Sequence, residues 1–298
     1  MTASQSSGAS GSRPPKLAIV AGAGPLPVSL AEAARAEGRE VFIIGLEGFA
    51  EPEIEAFPHA WNRLGAMGAF IRLLRESGCE EMVMVGAVTR PDIRKLSLDM
   101  TAIRLLPKFR GWMKLGDDGL LRGLTGYIQE ETGLRIVGAH EIAAGLLAPE
   151  GAMTKAKPEE SARNDIAVAI RAVRAIGALD IGQGAVACHG IVLALEAAEG
   201  TDAMLERVAG LPAHLRGSEA AREGVLVKLP KPGQERRMDL PTIGVRTVEK
   251  AAAAGLAGIA VEGGGALVDD IEAVTATADR LGLFVIGLSP DETRATAP

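Results

Sequence analysis

Through the first half of the chain, short apolar runs alternate with stretches whose apolar positions fall at helical spacing. LAIVA (17 to 21), VFIIG (41 to 45) and MVMVG (82 to 86) are such runs, and SLAEAARAEG and GAFIRLLRESG lie between them. Continuous apolar strands separated by helical patterns predict a parallel sheet covered by helices. A fourth strand, LRIVG (134 to 138), follows the helical region KLGDDGLLRGLTGYIQEETG. The stretch LLAPEGAMTKAKPEE (146 to 160) then breaks the periodicity with two prolines and mixed charge, which marks a domain boundary. Beyond it come the helix SARNDIAVAIRAVRAIG and the strand-like GAVACHGIVLALE, GVLVKL, GLAGIAVEGG and LGLFVIGLS, a second α/β unit. The expected division is a tail over 1–15, an N-terminal α/β domain over 16–147 and a C-terminal α/β domain over 148–298.

Composition narrows this picture. The 298 residues suffice for two domains at roughly 150 each. The chain is 47% hydrophobic with only six Phe, two Trp and one Tyr, so its core is built from small aliphatic residues. A formal net charge of −6 offers no field for a polyanion and argues against general nucleic-acid binding, leaving a local basic cluster open. Cys79 and Cys188 show no CxxC spacing and suit buried thiols in a reducing cytoplasm. The tail MTASQSSGASGSRPP lacks the apolar segment of a signal peptide and is expected to be disordered. The longest uncharged apolar stretch, AAAAGLAGIAV, falls far short of the ~20 residues that span a bilayer, which predicts a soluble protein and leaves contact with a membrane surface open.

The turn after the first strand, AGAGPLP, resembles the start of a dinucleotide site. Such a site needs three small residues, and here Gly22 and Gly24 fill two positions while Pro27 takes the third and Pro25 removes an amide. The strand–turn–helix device is present without its NAD-specific part. It suits a plain tight turn, or a phosphate or sugar held at a helix N-terminus.

Three polar clusters carry candidate chemistry. Asp180, Gln183, Glu196, Glu199, Thr201 and Asp202 surround apolar segments in ALDIGQGAVACHGIVLALEAAEGTDAML, where Thr201-Asp202 could equally cap the helix that follows. GVLVKLPKPGQERRMDLPTIG sets Lys228, Lys231, Arg236 and Arg237 around Asp239; four cations suit a diphosphate, and an aspartate kept ionised among them suits Mg²⁺, or simply an ion pair with Arg237. The pair Asp117-Asp118 suits a hard cation or a helix start. The four histidines fit no zinc spacing, and neither a GxSxG elbow nor a P-loop occurs. Metal-assisted attack of water on a phosphate ester is the simplest enzymatic reading. A nucleotide-sugar or lipid carrier and an NAD-dependent oxidoreductase are the alternatives.

From about Lys16 onward, AGAGPLPV, VGAVTRPD, KLGDDGLLR, GAHEI, DIGQGAVA, EGTDAML and KPGQERRMDLPTIG follow one another in an order that resembles the UDP-2,3-diacylglucosamine pyrophosphatases of the lipid A pathway, the LpxI type. The resemblance implies a Rossmann-like N-terminal domain, a C-terminal α/β domain of the family's own kind, and a ligand cleft between them. It implies Mg²⁺-dependent hydrolysis of UDP-2,3-diacylglucosamine to 2,3-diacylglucosamine 1-phosphate (lipid X) and UMP, with attack leaning toward the β-phosphorus, in the cytoplasm or at the inner membrane's surface and compatible with a homodimer. Asp239 maps to the family's critical acid, and Asp117 and Asp118 join it as metal candidates. Gly22, Ala23, Gly24, Thr89, Arg90, Gln183, Thr201, Asp202, Lys228, Lys231 and Thr242 are the substrate-binding candidates. Ala87 stands where the family often carries Asn.

Overall fold

The computed structural model describes residues 13–88, 96–232 and 240–295. The first half comprises β1 (Leu17–Ala21), α1 (Leu26–Ala36), β2 (Val41–Leu46), β3 (His59–Asn62), α2 (Met67–Glu76), β4 (Glu81–Val85), α3 (Met100–Met113), α4 (Gly116–Thr132), β5 (Arg135–Ile136) and α5 (Ala139–Ile142). Its strands form one parallel sheet in the order β3-β2-β1-β4-β5. Side chains alternate between the two faces of a strand. Leu17, Ile19 and Ala21 therefore pack under Leu26, Leu30 and Ala34 of α1, while Ala18 and Val20 meet Phe70, Ile71 and Leu74 of α2. The chain lays strands outward from β1 in one direction, then returns to lay β4 and β5 in the other. That reversal is the Rossmann-like switch point, and it falls at the carboxyl ends of β1 and β4.

The expected strands over 17–21, 41–45 and 82–86 match β1, β2 and β4 to within a residue. LRIVG contributes only Arg135 and Ile136, and β3 arises from the polar sequence HAWN. Glu81 opens β4 buried between Arg39 and Arg135, both of which donate to its carboxylate.

The second half comprises β6 (Gly151–Ala152), α6 (Glu160–Ala178), β7 (Gly184–Cys188), β8 (Ile191–Leu195), α7 (Gly200–Ala209), β9 (Val225–Lys228), β10 (Thr242–Ile243), α8 (Val245–Ala253), β11 (Gly258–Glu262), β12 (Leu267–Val268), α9 (Ile271–Leu281), β13 (Phe284–Leu288) and α10 (Pro290–Ala295). Six strands form a sheet in the order β6-β13-β11-β9-β7-β8, parallel through β13, β11 and β9 and antiparallel at both flanks. Ile166, Ala169, Ile170 and Val173 of α6 cover one face, and α7, α8 and α9 cover the other. GAVACHGIVLALE, read above as one extended stretch, is a hairpin: His189 and Gly190 turn it with φ of 54° and 75°. β10 and β12 pair apart from this sheet. Leu267 of β12 and Leu240 just before β10 pack among α1 and β1 side chains, so the second half carries part of the first half's core.

Candidate functional site

In α/β folds ligands collect outside the carboxyl ends of the parallel strands. On the first sheet that edge holds Gly22, Ala23 and Gly24. The Gly22 amide donates to Val85, and Ala23 and Ala87 exchange a pair of backbone hydrogen bonds at 2.8 and 2.9 Å. A Cβ at Gly22 would sit 2.7 Å from the carbonyl oxygens of Gly86 and Ala87. The first glycine thus lets two loops cross closely, and its amide and that of Ala23 serve that crossing rather than a phosphate. Gly24 differs: its φ is 95° and the direction of a Cβ is open. Of the three candidates it presents the free face of the turn, where α1 begins without a side-chain cap.

On the second sheet Lys228 ends β9 at 5% exposure, with Nζ donating to the Thr242 carbonyl at 3.0 Å. Thr242 thus meets Lys228 through its main chain, while its hydroxyl donates back to Leu240. Lysine is seldom buried unless paired; among the described residues this one forms no salt bridge. Gly184 is the register partner of Lys228, and Glu196 follows β8 with its amide on the Gly184 carbonyl. Facing residues of neighbouring strands share a face, and a Cβ at Gly184 would meet Glu196 Oε2 at 2.7 Å. The missing side chain is therefore what admits the Glu196 carboxylate. Thr201 donates to Glu196 Oε1 at 2.5 Å, while Oε2 is buried without a hydrogen-bond partner among the described residues. Gln183 Oε1 is likewise buried and without a partner.

The capping alternative for Thr201-Asp202 does not hold. α7 starts one residue earlier, after Glu199, with no side-chain cap. Thr201 faces Glu196, and Asp202 pairs with Arg246 at 2.9 Å. That surface ion pair sets Asp202 beside α8 rather than on the Lys228 side chain.

Beside the apolar packing of Leu240 and Leu267, polar contacts among the described residues also bring the halves of the chain together. Lys231 Nζ donates to Asp180 Oδ1 at 2.6 Å and stands 3.9 Å from Asp118 Oδ1. Asp180 adopts the left-handed backbone, φ 54°, and its carboxylate lies over Gly116, where a Cβ would clash. Asp118 lies in the first turn of α4, as the helix-start reading has it, with the Lys231 ammonium beside it. A further contact involves Asp269, which sequence reasoning did not single out. It follows β12 at 7% exposure, with Oδ1 unpartnered among the described residues, beside Gly244 at the start of α8 and facing Ser29 in the first turn of α1. Burial raises its pKa above the ordinary aspartate value; the Ser29 hydroxyl opposes that rise and the Asp270 charge adds to it. The sequence signal was the acidic pair ending a strand, Val268-Asp269-Asp270, which reads as an ordinary helix start and is one: Asp270 caps α9.

Thr89, Arg90, Arg236, Arg237 and Asp239, with the side chain of Asp117, lie outside the described residues. Among those described, Lys228, Thr242, Gln183, Glu196 and Thr201 gather at one edge of the second sheet, Gly22–Gly24 at the matching edge of the first, and Lys231 and Asp269 stand where the halves meet.

Residues 16–146 match the family model described as the LpxI N-terminal domain, and residues 149–286 match the LpxI C-terminal domain. A curated relative, the UDP-2,3-diacylglucosamine pyrophosphatase LpxI of Caulobacter vibrioides, is 48% identical over 277 residues, 93% of this chain and 99% of the relative. Among solved structures, CobK precorrin-6A reductase aligns over 92% of this chain and 88% of its own, at 14% identity and a TM-score of 0.32.

Proposed function

The chain belongs to the LpxI family, and on that premise we propose that it hydrolyses the diphosphate of UDP-2,3-diacylglucosamine to UMP and 2,3-diacylglucosamine 1-phosphate. The observation that supports this most is Lys228, a buried ammonium held on a carbonyl at a carboxyl strand end and free of any carboxylate among the described residues. A buried cation of this kind is matched by an anionic ligand, and a diphosphate supplies one. Lys231 adds a second cation where the two halves approach. The proposed cleft runs between an N-terminal domain over 16–147 and a C-terminal domain over 148–298.

Glu196 at this edge and Asp269 where the halves meet each keep a buried carboxylate oxygen without a partner among the described residues, and such oxygen donors fit a hard divalent cation such as Mg²⁺. Asp239, with Asp117 and Asp118, would hold it, and it would supply charge neutralisation at the diphosphate. The chain's own side chains do the rest. Lys228 and Lys231 grip phosphate oxygens and offset charge that develops on them. Gly24 leaves room for a ligand to approach the start of α1.

The acyl chains have an apolar surface beside the Gly116–Asp180 contact. Leu115 from the first half and Leu179 and Ile181 from the second are exposed next to it. α3 continues this surface with exposed Met100, Ile103 and Met113 among the exposed cations Arg104, Lys108 and Arg110, which suits the face of an anionic bilayer. No helix among the described residues is long and apolar enough to cross a membrane. β8 is an outer strand with exposed Ile191, Val192 and Leu195, which suits a homodimer. Incubating the purified chain with UDP-2,3-diacylglucosamine and Mg²⁺ and following UMP tests the reading. Tight binding without UMP would make it a carrier.

A further inference from the structure

The β7–β8 hairpin turns at the end of the second sheet opposite Lys228, because β7 runs antiparallel to β9 from Gly184 beside Lys228 to Ala187 beside Val225. There Cys188, His189 and Glu223 each bring one ligand atom to within 4.8 Å of the others. From the donor types and their spacing we propose that Cys188 Sγ, His189 and Glu223 form a Zn²⁺ site remote from the diphosphate cleft.

Thiolate, imidazole and carboxylate are the ligand types that zinc takes, and three protein ligands leave a fourth position for water. Hard cations such as Mg²⁺ prefer all-oxygen sets, so the sulfur selects against the metal proposed for the cleft. The backbone around the cluster is specialised for this convergence. His189 adopts a left-handed conformation, φ 54°, which costs a non-glycine residue energy and turns its side chain out of the strand pattern. Asp165, buried at 3% exposure, accepts from the amides of His189 and Gly190 at 3.2 and 2.7 Å and locks the turn. Gly224 has φ 79°, and a Cβ there would lie 2.8 Å from Cys188 Cβ and 3.1 Å from Sγ. Glycine at 224 is thus what lets Glu223 come alongside the sulfur. His189 Nε2 and Glu223 Oε2 are already 2.9 Å apart and half exposed, which gives an ion a route in, while Cys188 is buried behind them.

The test uses the full-length protein, stripped of metal with a chelator and dialysed, and titrated with Zn²⁺ against a chromophoric chelator. One equivalent should bind per chain. Cys188→Ser and Glu223→Gln should each weaken that equivalent by at least tenfold, with the melting temperature of the metal-free Glu223→Gln variant close to that of the parent because Glu223 is exposed. Co²⁺ in place of Zn²⁺ should give a thiolate-to-metal charge-transfer band that Cys188→Ser abolishes. Absence of zinc binding, or an equivalent that survives both substitutions, would overturn the proposal; in the latter case the metal sits elsewhere, the cleft included. UMP release plays no part in this readout, so the outcome is independent of the hydrolase reading.

Discussion

Lys231 places its ammonium 2.6 Å from the Asp180 carboxylate, a contact made by a residue just past β9 and one that follows α6 in the left-handed conformation. Asp118, 3.9 Å from the same ammonium, belongs to α4 of the first half, so this cation stands near both halves beside the proposed cleft. Lys231→Met should therefore weaken the grip on the diphosphate. A charge-assisted hydrogen bond contributes about 1.5–3 kcal/mol, which predicts a fall in kcat/KM of roughly tenfold to a hundredfold. Steady-state kinetics of UMP release check this, and unchanged kcat/KM would take Lys231 out of substrate binding.

Glu81 governs acid stability in the first half. Burial alone would raise its pKa, but hydrogen bonds from Arg135 and Arg39 outweigh burial and lower it. The folded state thus releases this proton more readily than the unfolded chain does. Its stabilisation is fully present above the ordinary glutamate range and is lost as pH falls below that range through the depressed value. Glu81→Gln leaves Arg39 buried without its partner and should cost about 3 kcal/mol at neutral pH. Melts from neutral to acid pH should show the variant less stable at pH 7 and converging on wild type in acid; a constant gap would contradict the assignment.

Asp269 has the opposite sign. Burial raises its pKa, so its folded form holds the proton more tightly than the unfolded chain, and stability from this group is present at low pH and lost as pH rises through the raised value. In metal-free protein, Asp269→Asn should melt higher than wild type at neutral pH and match it below the ordinary aspartate range. A variant that melts lower at neutral pH would show that the carboxylate is stabilised by a partner.

Hydrolysis in heavy-oxygen water should put the label on 2,3-diacylglucosamine 1-phosphate, as attack at the β-phosphorus requires. Mass spectrometry of the two products decides it, and label in UMP would mean attack at the α-phosphorus.

Much of the architecture was legible because the strands at its centre are buried on both faces and read as unbroken apolar runs: LAIVA, GIAVE and FVIGL each form a five-residue strand. β3 was not legible, since an edge strand of sequence HAWN carries no such run. The Lys228 and Thr201 candidates came from polar residues at apolar boundaries, which sequence displays directly. Asp269 did not, because its meaning depends on Ser29, a distant residue brought to it by the packing of Leu267 and Leu240 against the first half. The role of Gly22 was half legible: glycine was required, but for a close approach to the Gly86 and Ala87 carbonyls rather than to a pyrophosphate.

The proposed hydrolysis rests on Asp239 holding the metal, and Asp239→Ala removes that carboxylate. If Asp239 is a metal ligand, its loss removes several kcal/mol of charge stabilisation in the transition state, so UMP release should fall on the order of a thousandfold or more. Lys228 and Lys231 remain to hold the substrate, and equilibrium binding of UDP-2,3-diacylglucosamine should persist. UMP release and substrate retention measured together on the folded variant give the answer. Retained binding with turnover nearly abolished is the expected outcome, and near-normal UMP release would remove Asp239 from the mechanism.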